Sequence, residues 1–192
     1  GVTGSVVWLL DPHWQGKVGI VNAPTIGIVD MALAAEANGL MKFQDMGNMT
    51  HKEMDDLFEI MIGLKRSGHF GGVWNSVPDS VALMRRGRVC IESMFSPAVS
   101  RLNAESVPVT FAAPREGYRG WHGVMCLSSK TTGEVRDAAY RFMNWGLSGW
   151  AGAFLARQGS YISIPEGARE IPAPEERDSW RNGKGALGAA KG

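Results

Sequence analysis

The sequence predicts an α/β fold with a mostly parallel sheet flanked by helices, and three observations predict it. Short, nearly continuous apolar runs recur at residues 17–21, 70–74, 88–94 and 107–113. Runs of that length, rich in β-branched and aromatic residues and bounded by Gly or Pro, read as strands buried on both faces. Segments of about ten residues with helical signals lie between them, the alternation that makes βαβ units. One of those helices also carries a complete start signal, Thr50-His51-Lys52-Glu53, in which hydroxyl and carboxylate satisfy orphan backbone donors reciprocally.

The elements follow in order. Residues 1–16 form a lead-in ending in the turn-like Asp11-Pro12-His13-Trp14-Gln15-Gly16. The strand at 17–21 feeds a helix over 25–38, with Pro24 suited to its first turn and Asn38-Gly39 closing it. Residues 40–49 read as loop. In the next helix Met54, Leu57, Met61 and Leu64 recur at helical spacing, so one stripe faces a core, and Ser67-Gly68 ends it. A strand at 70–74, a helix at 78–87 stopped by Gly87, a strand at 88–94, a helix at 97–104 and a strand at 107–113 complete the first part.

Residues 108–129, PVTFAAPREGYRGWHGVMCLSS, carry the most functional information. Two apolar runs, 109–113 and 124–127, flank a polar, glycine-bearing crossing that holds Tyr118 and Trp121. Exposed rings in such a crossing read as a hinge beside a ligand cleft. Beyond it come a strand at 124–128 and a helix at 134–147 with Val135, Ala139, Phe142 and Met143 inward. A second helix starts at Ser148 and runs to about Arg157. Past Gln158-Gly159 the chain is irregular, with Pro165, Pro172 and Pro174, and residues 182–192 are almost all Gly, Ala and Lys, a tail expected to be mobile. No internal repeat is present.

Composition bounds the function. At 192 residues the chain is one large domain or one and a half smaller ones. A formal charge of +1 is too small for a reader of nucleic acid that works by field alone. No apolar run reaches the ~20 residues of a membrane span. The chain opens on Gly1 without a signal-peptide pattern, so its start reads as a processed or cut end. Cys90 and Cys126 lie in apolar runs, VCI and MCL, and read as two buried free thiols rather than a disulfide.

Catalytic and metal patterns are weak. His122 and Cys126 share a strand face without being adjacent, so no thiolate–imidazole pair follows. His13, His51 and His69 lack the HxH or HExxH spacing of a metal site. Gly16-Lys17 is not a phosphate loop, Gly19 and Gly27 do not make a GxGxxG, and Ser148-Gly149-Trp150 lacks the GxSxG frame. The expectation is a protein without catalytic residues, metal or cofactor. A thiol-dependent α/β enzyme using Cys126, or a non-catalytic interaction domain, stays open as the alternative.

Ligand-contact candidates come from strand ends, since parallel-sheet ligands bind at the C-terminal edge. Phe95 falls there, directly before Ser96-Pro97 opens a helix, and Trp74 with Asn75 end a strand in the same way. The segment from Asn22 to Thr25 links the first strand to its helix, where free N–H groups and a positive dipole end face outward.

The order of motifs LLDPHWQGKVGIVN, GGVWNS, LMRRGRV, PVTFAAPREGYRGWHG, AAYRFMNWGLS and RQGSYISIP, from Trp8 to Pro165, resembles the extracellular solute-binding proteins of bacterial ABC importers, especially the branch with spermidine/putrescine-binding proteins. The resemblance implies a periplasmic-binding-protein-like (type II) lobe plus a partial second lobe. On that reading, residues 1–113 and 159–192 form the second lobe, 114–123 the hinge crossing, and 124–158 a segment returning to a first lobe whose opening strands are missing. The unpaired strand at 124–128 is then expected to be covered by repacking or by self-association with another copy.

The resemblance further implies a small solute as ligand, ABC permease subunits as partners, and a periplasmic or extracellular location. It places Trp121 in the lining of an interlobe cleft and an aromatic at the Phe95 position. Polyamine binders carry carboxylates near the first strand end and just after the tryptophan. This chain has none between Val18 and Val29, and Gly123 stands at the second place. The ligand expected is an organic anion or zwitterion held at the Thr25 helix end, not a polyamine.

Overall fold

The apolar run after Lys17 becomes the central strand of a three-stranded parallel sheet. In this computed structural model, which describes residues 4–120 and 123–157, β1 (Val18–Val21) lies between β2 (Phe70–Trp74) and β3 (Ile91–Glu92). Val18 pairs with Phe70 and Ile91, Gly19 with Gly72 and Glu92, and Val21 with Trp74, with an irregularity after Val18. The chain divides at residues 119/120 into two units, and the sheet belongs to the first.

Strand alternation sends neighbouring side chains to opposite faces. Val18 and Ile20 turn toward α1 (Pro24–Ala37) and α2 (His51–Arg66), in a core with Leu9, Leu10, Met31, Ala32, Phe43 and Leu57. Gly72, in register with Gly19, meets Leu83 of α3 (Val77–Arg85) instead. There Val81 joins Ala98 and Leu102 of α4 (Ser96–Ala104) in a second, smaller cluster. Gly27 lets α1 approach its own strand, because a Cβ at that position would stand 2.7 Å from the Val21 carbonyl oxygen.

The local signals match the elements they specify. Pro24 occupies the first turn of α1, and Asn38 caps its end. The α2 capping box is complete: the Glu53 amide donates to Thr50 Oγ1 at 3.2 Å, and the Glu53 carboxylate accepts from the Thr50 amide at 2.7 Å. That backbone bond holds the Glu53 carboxyl below its ordinary range. Thr50→Ala should cost about 1 kcal/mol, seen as a melting temperature roughly 4 °C lower, while Thr50→Ser keeps the bond and melts near wild type. Equal melting of the alanine variant would show the box to be idle.

The lead-in is tied to the crossing segment. Gly4 forms a bridge with Pro114, and the Arg115 amide donates to the Gly4 carbonyl at 3.1 Å. Glu116 accepts from Ser5 Oγ at 2.7 Å and from the Val6 amide at 3.1 Å, and the Ser5 bond lowers its pKa. Buried His69 adds a further tie through Nε2 to the Leu9 carbonyl, 2.9 Å away.

Several expectations are corrected. The strand expected at 88–94 shortens to Ile91–Glu92, because only β1 is beside it to pair with. Residues 107–113 form no strand; Val107 and Val109 pack on the α3–α4 cluster instead of joining the sheet. Residues 124–128 form no strand either, and Val124 is 72% exposed. Cys90 and Cys126 are free thiols but exposed rather than buried. The second unit contains α5 (Gly133–Gly146) and α6 (Gly149–Arg157). The apolar stripe on α5 is not turned into a core: Val135 and Phe142 are exposed, and Phe142, Trp145, Trp150 and Phe154 form a ladder of ring contacts at 5.7–5.8 Å. A helical period specifies a stripe but not what covers it. Expectations for residues 158–192 lie outside the described residues.

Candidate solute site at the sheet edge

Three strand ends meet at the C-terminal edge of the sheet. β1 leads into Asn22, β2 into Asn75, and β3 into Ser93, Met94 and Phe95. Strand pairing extends one step past β1, where the Asn22 amide donates to the Trp74 carbonyl at 2.8 Å. The side chains repeat the link, with Asn22 Nδ2 donating to Asn75 Oδ1 at 2.7 Å. Both residues are exposed, so a neutral amide pair faces solvent at the strand tips.

Below that pair lies Trp74, 2% exposed. Its indole N–H donates to the Ser93 carbonyl at 3.0 Å, so in a sheet ordered β2-β1-β3 the ring reaches from the β2 end to the chain leaving β3. Phe95 meets it edge to face, with centroids 5.3 Å apart at 82°. Trp74 is therefore the floor of this edge, and half-buried Phe95 stands beside it.

Two helices start at the same edge without a side-chain cap. α1 follows Ala23 and α4 follows Phe95, and neither cap residue has a side chain that accepts a bond from the helix. α2 and α3, by contrast, are capped by Thr50 and Ser76. Thr25 lies in the uncapped first turn of α1 and is exposed. Open N–H groups and a positive dipole end make such a turn suited to negative charge.

Two carboxylates stand close by, and sequence reasoning singled out neither. Asp30 of α1 accepts from Ser93 Oγ at 2.6 Å and from Arg119 Nε at 2.9 Å, which ties the crossing segment to the strand end. Glu92 of β3 lies over Gly19, where a Cβ would come within 2.8 Å of its Cγ. Both Glu92 carboxyl oxygens are sealed from solvent without a hydrogen-bond partner, and burial pushes the group up to about 7. Ser80 Oγ lies near enough to ease that shift but forms no aligned hydrogen bond. A glutamate inside the apolar run RVCIESM was the one available signal for Glu92.

The structure thus brings Asn22, Thr25, Trp74, Asn75 and Phe95 to one edge of one sheet. Trp121 lies outside the described residues. A family model described as bacterial extracellular solute-binding protein matches residues 8–180. The chain belongs to that family. Members of this solute-binding family are generally not enzymes, and the small parallel sheet flanked by helices is consistent with part of a periplasmic-binding-protein-like fold. No curated protein matches the chain. Among the described residues, no helix of this solute-binding protein is long and apolar enough to cross a membrane.

Proposed function

We infer that the chain is the solute-binding component of an ABC importer, working in the periplasm or at the cell exterior and passing a small organic solute to permease subunits. The family match supports the solute role. The observation that carries the ligand class is the sheet edge itself: a neutral Asn22–Asn75 amide pair beside two uncapped helix starts. Ammonium groups need carboxylates, and charged hydrogen bonds of that kind contribute about 1.5–3 kcal/mol each. The loop from Asn22 to Thr25 supplies none. The ligand is an organic anion or zwitterion with its negative end at Thr25, despite a motif order like that of the polyamine-binding branch. Asn22, Asn75 and Phe95 contact it, and Trp74 supports them from beneath.

Calorimetry on the complete protein tests this with spermidine and putrescine against amino acids and small carboxylic acids. The expected result is binding among the acids and none to the diamines. Tight spermidine or putrescine binding overturns the ligand class. Cys126→Ala separates the enzyme alternative: a carrier keeps its affinity, whereas a thiol enzyme loses turnover.

A further inference from the structure

Arg119 is held by one of its three nitrogens. Nε donates to Asp30 Oδ1 at 2.9 Å, and the other Asp30 oxygen is occupied by Ser93 Oγ at 2.6 Å. The pair is largely withdrawn from water, with side chains 18% and 13% exposed. Neither Nη group forms a hydrogen bond among the described residues. An arginine serving only as a clasp gains most by meeting its carboxylate with two parallel bonds. Here the attachment is single, and the two terminal donors, whose spacing fits a planar carboxylate, are left over.

The placement adds a second argument. Ser93 holds Asp30 through its hydroxyl and the Trp74 ring through its carbonyl, so one residue joins the guanidinium to the aromatic floor. Asp30 lies five residues beyond Thr25 on α1, about 7.5 Å at the helical rise. Because Asp30 cancels the charge of Arg119, the pair attracts anions weakly at a distance. Its discrimination comes from contact geometry, which favours a planar acid over its amide.

We propose that Arg119 is a specificity-determining residue of the solute site, its Nη pair binding a carboxylate of the solute while Asp30 and Ser93 fix its plane. The inference rests on the solute-binding reading above and narrows the solute to a small organic acid.

The test uses the complete protein and six probes: succinate, glutamate, their amides succinamide and glutamine, and putrescine and glucose as controls. Wild type should bind at least one acid about 100-fold more tightly than its amide, the factor that about 2.7 kcal/mol of charged hydrogen bonding gives. Arg119→Ala should remove that preference, and Arg119→Lys should restore only a small part of it, since an ammonium cannot bind a carboxylate bidentately. Asp30→Asn should lower the melting temperature yet keep most of the acid preference. A merely structural clasp would shift melting in all three variants without moving the acid-to-amide ratio, and that result overturns the proposal. If Arg119→Ala does not fold, Arg119→Gln gives the same readout. Binding of putrescine or glucose with no acid bound overturns the proposal but leaves the solute-binding reading intact. Binding of none of the six counts against both.

Discussion

Trp74→Ala should destabilise the sheet-bearing unit by about 3–5 kcal/mol, the range for emptying a buried aromatic site. Trp74 is 2% exposed and close to the end of a three-stranded sheet, with little around it able to collapse into the space. The loss has three parts. The ring volume goes, the Ser93 carbonyl loses its N–H donor at 3.0 Å, and Phe95 loses its edge-to-face neighbour. Trp74→Phe separates them: it keeps an aromatic body but not the donor, and should cost nearer 1–2 kcal/mol for the unmade bond and imperfect fit. Urea unfolding followed by circular dichroism measures both. A Trp74→Ala loss below about 1 kcal/mol would mean that the ring does not pack as described. The same variant should weaken solute binding, since Ser93 and Phe95 both rest on the indole.

The second large effect is a pH dependence set by Glu92. Burial raises its folded-state pKa to about 7 from an ordinary 4.5. The folded protein therefore holds a proton that the unfolded chain has already released between those values. Stability falls as pH rises whenever the folded state binds more protons. So the Glu92 contribution is neutral below about pH 4.5, worsens through the window to pH 7, and stays constant above it. The full shift corresponds to roughly 3 kcal/mol. Glu92 is only partly buried as a residue, and solvent screening reduces this to about 2 kcal/mol. Glu53 and Glu116 have lowered pKa values and act in the opposite sense, gaining stability as pH rises. The difference between wild type and Glu92→Gln isolates the buried group. Glu92→Gln should be about 2 kcal/mol the more stable at pH 8 and close to wild type at pH 4.5. Parallel stability curves across that range would show that Glu92 is not desolvated.

The helices of the first unit were legible because their signals are local. Pro24, Asn38-Gly39 and the Thr50–Glu53 box each act within four residues of the end they define. β1 was legible because a parallel strand covered on both faces has to be apolar throughout, and β2 because its run is equally apolar, although Val73 of this edge strand is exposed. Residues 107–113 and 124–128 have the same composition, yet neither is a strand. An apolar run states what it would bury, not whether a sheet edge lies beside it. The exposed thiol of Cys126 follows from the second of those failures, and that of Cys90 from the shortening of the run at 88–94, whose strand begins only at Ile91.

The candidate site divides along similar lines. Asn22, Asn75 and Phe95 could be found from strand ends alone, because topology puts those ends together. Trp74 could be placed at the edge, but only the structure shows the ring lying beneath it with its N–H on Ser93. The Arg119–Asp30 pair was invisible, since the two residues are 89 positions apart and each is an ordinary charged residue in its own segment.

The tie between Gly4 and Pro114 has a consequence for engineering. Two points far apart along the backbone sit side by side, so the sheet-bearing unit nearly forms a closed ring. Domains of this kind tolerate relocated termini where the backbone is exposed. An insertion at exposed Gln44 is tolerated on the same ground and keeps every strand pairing, both helix layers and the Gly4–Pro114 tie. A reporter inserted there would leave the candidate edge and its Arg119–Asp30 pair in place.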